Sequence, residues 1–422
     1  MSSCDSPALM KGLVPLEDAR AVLAERAQQY GSLTGTETVA LHLALTRVLA
    51  ETITSQINVP GFDNSAMDGY ALRLADCQPL VASKGRIELK VSQRITAGDA
   101  PELLLDNTCA RIFTGAAVPE NADIVVMQEQ CEIADNGLII FPADLVDAKP
   151  QQNIRPAGQD IARGQTLFHP GRILRAEDLG VLASMGFSQV KVQKKLRVAV
   201  ISSGDELVEP GNPLSPGKIY NTNSFTLIGL LQRMGMEVVG PFFAADTLAA
   251  TQAVLTDASA QADVIITSGG VSVGEEDHIK AAISSGGELE MWRLAIKPGK
   301  PFALGQFKQT PVIGLPGNPA AVVVTFYQLA RDFLWTLQGA DVQPLLVLKG
   351  KAAFTTKKSI GRTEFLRARF NGGNIEIFNN QSSGVLSSSS WSDGFACVPA
   401  GELISIDDEI EFYTLTTAHG HG

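Results

Sequence analysis

Apolar residues recur at helical spacing over residues 15–29, where Leu16, Ala19, Val22 and Leu23 share one face. The pattern predicts a second helix over Leu41–Glu51. A Pro/Gly-punctuated stretch, Asn58–Tyr70, breaks it off. From Tyr70 to Phe141 short apolar runs follow at 86–91, 110–114, 124–128 and 138–141, predicting a β-rich module with closely spaced turns. Residues 149–175 read as irregular, and Ala176–Ser184 as a short helix.

The rhythm changes at Lys195. Leu196–Ile201 is a continuous apolar run, the pattern of a strand buried on both faces. Thr222 or Asn223 can cap a helix running to Met234, with Phe225, Ile228 and Leu231 on its inner face. Strands are predicted at 236–243, 263–267, 288–296, 301–305 and 311–315. Helices are predicted at 248–260, 278–284 and 320–337. This alternation predicts a doubly wound, parallel α/β sheet. From Leu345 onward short strands and polar turns predict a small β-domain.

At 422 residues the chain suggests two to four domains. No apolar run approaches the length of a transmembrane helix. The N-terminus lacks the apolar core of an export signal. The five cysteines, Cys4, Cys77, Cys109, Cys131 and Cys397, are scattered without C-x-x-C spacing, so neither a disulfide framework nor a zinc knuckle is expected. A reducing compartment, the cytoplasm, follows as the expectation. Against 45 acidic residues stand 34 basic ones, a net charge of −11, which argues against a general nucleic-acid binder. It does not exclude an anionic small molecule, because local charge can oppose the net.

Ligands of open α/β sheets bind beyond the carboxyl ends of the strands. Three loops rich in small residues fall there: Ser202-Ser-Gly-Asp-Glu206, Ser268-Gly-Gly-Val-Ser-Val-Gly-Glu-Glu-Asp277, and Gly314-Leu-Pro-Gly-Asn-Pro319. Glycines let backbone N–H groups approach a phosphate, and a helix N-terminus adds a favourable dipole. Each acid can also be read as a helix cap, but three such loops at one sheet edge point to a phosphate or nucleotide pocket. None is a Walker A loop. Lys297 and Lys300, in Ile296-Lys-Pro-Gly-Lys-Pro301, are candidates for neutralising bound oxyanions, although the same turn can be an exposed hairpin. Asp246 and Asp277 follow strand ends and suit Mg²⁺, which favours one or two carboxylates plus substrate phosphates. The segment Pro60–Tyr70 is long, irregular and acid-bearing, a mark of functional loops. His42, His169 and His278 are isolated and carry no assignment, and the tail His419-Gly-His-Gly422 reads as a frayed end.

Six segments in order carry a resemblance: Pro60-Gly-Phe-Asp-Asn-Ser-Ala-Met-Asp-Gly-Tyr-Ala71, Thr114-Gly-Ala116, Ser203-Gly-Asp-Glu-Leu207, Ser268-Gly-Gly-Val-Ser-Val-Gly274, Lys297-Pro-Gly-Lys-Pro301 and Gly314-Leu-Pro-Gly-Asn-Pro319. Together they closely resemble the molybdopterin molybdenumtransferase family (MoeA-type, shared with the E domain of gephyrin), over nearly the whole chain.

The resemblance implies a dimer of elongated four-part subunits. A discontinuous domain would comprise 1–60 with 148–194. A β-rich domain would span 61–147, an α/β domain of the molybdopterin adenylyltransferase type 195–340, and a small C-terminal β-barrel 341–422. It implies an Mg²⁺-dependent reaction of adenylylated molybdopterin with molybdate that releases AMP. Asp63, Glu206, Asp246, Asp277 and Lys297 match family catalytic acids and a lysine, with Asp246 and Asp277 as the metal ligands. Thr114, Ser203, Gly204, Ser268, Gly269, Gly270, Ser272, Gly274, Lys300, Pro316, Gly317, Asn318, Arg362 and Ser383 match substrate-binding positions. Asp63 and Thr114 would reach the cleft from the partner subunit. A molybdopterin adenylyltransferase and apo-molybdoenzymes are the implied transient partners, with neither nucleic acid nor membrane.

Three positions depart from the family pattern: Gln159 where Glu is common, Asn221 where Asp is common, and Arg293 where Lys is common. Arg keeps the charge but changes the geometry. Two rival readings are a scaffold that kept the fold and an adenylyltransferase acting one step earlier. The intact acids and Lys297 favour the molybdenum-inserting enzyme over the scaffold. The long N-terminal half and C-terminal β-domain argue against the adenylyltransferase.

Overall fold

The computed structural model describes residues 12–270, 278–358 and 361–415. The chain divides into two units. The larger comprises the chain through Glu51, His169–Gly180 and Ser188 onward. The smaller comprises Thr52–Phe168 and Val181–Phe187.

In the larger unit, helix α1 (Leu16–Tyr30) buries Ala19, Leu23 and Ala27, a stripe at spacings of four. Strand β1 (Thr36–Ala40) pairs antiparallel with β2 (Gln189–Gln193), joining segments about 150 residues apart in sequence. The helix predicted over Leu41–Glu51 does not form beyond one tight turn, Leu41–Leu43. Val48 instead bridges Ile173 and Leu49 bridges Val192. That pairing buries Val48 and Leu49 fully and leaves Leu43 and Leu45 on the surface. Long-range strand pairing thus overrides a helical spacing of leucines.

The α/β domain is built from β3 (Arg197–Ser203), α2 (Asn223–Arg233), β4 (Glu237–Ala244), α3 (Leu248–Gln261), β5 (Val264–Ser268), α4 (His278–Gly286), β6 (Gly287–Arg293), β7 (Ile296–Lys297), β8 (Pro301–Phe307) and β9 (Thr310–Leu315). A helical run follows from Pro319 to Leu337, widening to a π turn at Phe326–Ala330. The sheet order is β4-β3-β5-β9-β8-β6. Alternation along the strands sorts the two faces. Val198, Val200 and Ile266 pack with Leu227, Leu231 and Phe326. Ala199, Ile201 and Ile265 pack with Leu255, Ile279 and Ile283 on the other face.

Two details differ from the sequence reading. Strand β8 runs antiparallel to both its neighbours, β9 and the edge strand β6. Only Lys308 and Gln309 separate β8 from β9, and so short a link closes only an antiparallel hairpin. Phe225 is 53% exposed rather than inward. The buried stripe of α2 is Ser224, Leu227 and Leu231, and Phe225 lies about 100° round the helix from Ser224.

The C-terminal strands are β10 (Val347–Ala352), β11 (Thr363–Asn371), β12 (Asn374–Ile377), β13 (Gly394–Val398) and β14 (Glu409–Thr414). They pair in the order β11-β12-β10-β14-β13, and β13 pairs back to β11, closing a five-stranded barrel. Leu366, Ala368, Ile375, Ala396, Val398 and Phe412 fill it. Strand β7 of the α/β domain adds to its rim, Ile296 opposite Thr363 and Lys297 opposite Glu364.

The smaller unit holds a six-stranded sheet in the order Ile124–Met127, Gly69–Leu72, Thr108–Ile112, Ile87–Ile95, Ile139–Phe141, Glu132–Ile133. Tyr70, Leu72, Leu89 and Phe141 cover one face, and Ala71, Ile95, Ala110 and Ile112 the other. Among the described residues no helix is long and apolar enough to cross a membrane. Cys77, Cys109, Cys131 and Cys397 are unbridged.

Candidate functional site

The order β4-β3-β5 places a topological switch between β3 and β5, where chain direction across the sheet reverses and a crevice opens at the carboxyl ends. After β3, Gly204 has φ +137°, and a Cβ there would lie 2.5 Å from a carboxylate oxygen of Glu206. Glycine therefore lets Glu206 fold back over the turn. Asp205 and Asp246 clasp the loops after β3 and β4 reciprocally. The Asp205 N–H donates to Asp246 Oδ2 at 3.0 Å, and the Asp246 N–H donates to Asp205 Oδ1 at 3.2 Å.

Asn223, at the start of α2, ties three loops together. Its Nδ2 donates to Ser268 Oγ at 2.8 Å and to the Gly317 carbonyl at 2.7 Å. Sequence reasoning treated Asn223 only as a possible helix cap. Its repeated Asn-Thr-Asn setting gives no hint of this bridging.

The turn between β7 and β8 carries the two lysines. Gly299 has φ +109°, and an added Cβ would lie 2.5 Å from Thr325 Cγ2, so glycine lets the turn press against the closing helical run. Lys297 Nζ donates to both carboxylate oxygens of Glu364 on the barrel, at 3.2 and 3.3 Å. The barrel also delivers the wall 381–384, fixed to that helical run where the Ala320 N–H donates to the Ser383 carbonyl at 3.0 Å.

These elements enclose one cleft of about 870 Å³ between the α/β domain and the barrel. It collects Ser203, Glu206, Ser268, Gly269, Lys297, Lys300, Pro316, Gly317, Asn318, Arg362 and Ser383, all sequence candidates, together with Tyr220, Asn221, Thr222, Asn223, Gln381 and Ser382, which sequence reasoning did not select. Among the described residues its charged lining is Lys297, Lys300 and Arg362 against Glu206, a basic balance on a chain of net charge −11. The lysines do not form the alternative solvated hairpin. Gly204 and Gly270 shape the loops beside the cleft, and Asp246 stands behind the Asp205 turn. Ser272, Gly274 and Asp277 lie outside the described residues. Among the described residues no cluster of three or more His, Cys, Asp or Glu side chains forms a metal cage. Asp246 does not line the cleft, and its Oδ2 accepts from the Asp205 N–H.

The smaller unit holds the remaining candidates. Asp63 Oδ1 accepts from the Ala157 N–H at 2.8 Å. Thr114 donates through both its N–H and its Oγ1 to Asp68 Oδ1, each at 2.8 Å. These two hydrogen bonds, with help from Arg111, hold the Asp68 carboxyl below the usual carboxylate range. A depression of about 520 Å³ lies among Pro60, Phe62, Arg155, Gln159 and Asp160, which places the Gln159 departure at a surface recess.

The Asn221 departure has a local reason. Its Nδ2 donates to Glu209 Oε1 at 3.1 Å, and its Oδ1 accepts from the Ser224 N–H at 3.3 Å. A carboxylate could not donate to Glu209. Nothing in the structure explains why Arg rather than Lys stands at 293.

The switch-point cleft lies on a doubly wound domain and is walled by a closed barrel, and the matches to known families place the chain in the class of molybdopterin-handling proteins. Residues 199–336 match the family described as "probable molybdopterin binding domain". Residues 14–186 match the MoeA N-terminal region (domains I and II), and residues 349–415 match the MoeA C-terminal region (domain IV). The molybdopterin molybdenumtransferase of Haemophilus influenzae is 41% identical over 370 residues, covering 86% of this chain and 89% of that protein. Molybdopterin molybdenumtransferase 2 of Mycobacterium tuberculosis is 39% identical over 309 residues, 72% of this chain and 75% of that one. A solved molybdopterin biosynthesis MoeA protein from Pyrococcus horikoshii superimposes with a TM-score of 0.77 at 33% identity, covering 96% of this chain and 99% of that one. The chain belongs to the molybdopterin molybdenumtransferase family.

Proposed function

We propose that the chain inserts molybdenum from molybdate into adenylylated molybdopterin and releases AMP. The observation that carries this reading is the convergence of the described strand-end loops and the lysine turn on one basic cleft. In the overall reaction the phosphoanhydride P–O bond is cleaved by water, one phosphate leaving with AMP and the other with the pterin, while the molybdenum of molybdate binds the two dithiolene sulfurs and one of its oxygens leaves as water with the two thiol protons. Lys297, Lys300 and Arg362 bind and neutralise the phosphate oxygens, so catalysis is charge stabilisation rather than covalent chemistry. Ser203, Ser268 and the glycine loops orient the phosphates through hydrogen bonds. Glu206, the one carboxylate in the lining among the described residues, is placed to position the attacking water.

Asp246, with Asp277, would hold Mg²⁺, which when bound supplies further neutralisation of the anhydride. The working form is a cytoplasmic homodimer in which Asp63 and Thr114 serve the partner subunit's cleft. A molybdopterin adenylyltransferase delivers the substrate and apo-molybdoenzymes receive the product. The test is to supply the purified chain with adenylylated molybdopterin, molybdate and Mg²⁺. AMP release and activation of an apo-molybdoenzyme are expected. A folded protein that releases no AMP overturns the reading and leaves a scaffold role.

A further inference from the structure

The cleft carries an apolar edge that a phosphate site does not need. Among the described residues, Ile219 and Tyr220 are the large apolar side chains of its lining that stand exposed, at 56% and 39%. Single exposed apolar residues are ordinary on a protein surface, but these two are adjacent and share a lining with Lys297, Lys300 and Arg362. Neither has a side-chain donor left for a phosphate. Ile219 has no polar side-chain atom, and the Tyr220 hydroxyl donates to the Asn212 carbonyl at 3.0 Å. With its polar tip engaged there, what Tyr220 presents is its ring.

Backbone pairing holds this edge in place. Ile219–Tyr220 pairs in parallel with Leu207–Val208. The Ile219 N–H donates to the Glu206 carbonyl at 2.8 Å, and the Asn221 N–H to the Val208 carbonyl at 2.9 Å. Lys218 Nζ donates to the Asp205 carbonyl. The small flap so formed leaves the strand-end loop at Glu206 and returns at Asn221, both in the cleft lining. Side chains fixed in this way lose little further freedom when a ligand settles on them. The cleft, at about 870 Å³, also has room for far more than a diphosphate.

We infer that the Ile219–Tyr220 edge is a platform for a flat heteroaromatic ring borne by the phosphate ligand. Recognition then divides into two separable contacts. Lys297, Lys300 and Arg362 attract the phosphates, while the Tyr220 ring, with Ile219, takes the face of the heteroaromatic ring by stacking and burial of apolar surface. The inference rests on the proposed reading of the cleft as a phosphate site. The substrate of that reading bears two such rings, adenine and pterin, and the platform chemistry suits either.

Calorimetric titration of the full-length protein with four probes tests it. AMP and neopterin monophosphate carry a ring; ribose 5-phosphate and inorganic pyrophosphate do not. Wild type is expected to bind at least one ring-bearing probe about tenfold tighter than ribose 5-phosphate, the scale of one base–aromatic stack. Tyr220→Ser should remove most of that advantage and leave ribose 5-phosphate and pyrophosphate binding unchanged. Tyr220→Phe, which keeps the ring and loses the Asn212 bond, should retain most of it. Ile219→Ser should weaken the same probe about threefold, the scale of one lost apolar contact. A loss confined to AMP assigns the platform to adenine, and one confined to neopterin monophosphate assigns it to the pterin.

If folded Tyr220→Ser binds both ring-bearing probes as wild type does, the inference is overturned while the cleft reading stands. Equal weakening of all four probes overturns it as well, because the flap would then act on the phosphates and not on a ring. Should Tyr220→Ser fail to fold, Ile219→Ser decides by the same comparison. A wild-type protein that binds none of the four overturns the phosphate cleft itself, and the inference with it.

Discussion

The cleft of the larger unit and the turn segments of the smaller unit carry the same kind of sequence, small residues interleaved with acids, yet they use it differently. Around the cleft, glycines shape the backbone while Lys297, Lys300, Arg362 and Glu206 all line one space. In the smaller unit the carboxylates of Asp63 and Asp68 are engaged by backbone and hydroxyl donors of neighbouring turns. Turns there consume their acids as acceptors, as the strand-end loops do with Asp205 and Asp246, but those loops also hold Ser203, Glu206 and Ser268 over a shared opening. Density of motif residues does not separate the two cases. The distinction is which polar atoms the fold has already satisfied.

The largest expected effect falls on the cleft. Lys297→Gln should lower kcat/KM for AMP release about 100-fold, the scale of losing one charge-stabilising donor. Its melting temperature should stay within a degree or two, because Lys297 is half exposed and its partner Glu364 keeps access to water. Undiminished turnover would break the assignment of the turn to the phosphates. Gly299→Ala tests the same turn through its backbone. With φ +109° and a Cβ meeting Thr325 Cγ2 at 2.5 Å, it should destabilise the larger unit by about 1–3 kcal/mol. AMP release should fall several-fold in parallel. Urea unfolding that matches wild type would show that the turn is not pinned to the helical run.

Much of the α/β domain was legible because its strands are short apolar runs bounded by Gly and Pro, a local signal. Helix Ala176–Ser184 and the start of α2 at Asn223 fall where the sequence pattern puts them, although Thr222 makes no side-chain capping bond. What was not legible depends on distant partners. Leu41–Glu51 has helical spacing, yet Val48 and Leu49 are buried by pairing with Ile173 and Val192. The site shows the same division. Lys297 and Ser268 stand in recognisable motifs, whereas Asn223 and Gln381 matter through bonds to partners 45 and 14 residues away in sequence. No window around either residue carries that information.

Asp63→Asn sharpens the comparison from the other side. The amide oxygen can still accept from the Ala157 N–H, so stability should change little. Loss of about tenfold in AMP release with an unchanged unfolding curve would mean that the charge acts in the reaction. Equal loss of stability and activity would mean that Asp63 is only a turn acceptor.

The smallest effect is expected at Asp68, and its sign follows from linkage. The folded-state carboxyl lies below the usual carboxylate range, because ionised Asp68 accepts both Thr114 hydrogen bonds. A depressed carboxyl contributes stability that is present above the unfolded value and lost as pH falls through the folded one. Wild type should therefore exceed Asp68→Asn in urea midpoint at pH 6, and the difference should shrink as pH drops below about 4. Since Asp68 is only half-buried, solvent screening keeps the difference small. Urea titrations at pH 6 and pH 3 read it directly. A difference that persists undiminished at pH 3 would place its origin in the shape of the Thr114 turn rather than in the charge that holds it.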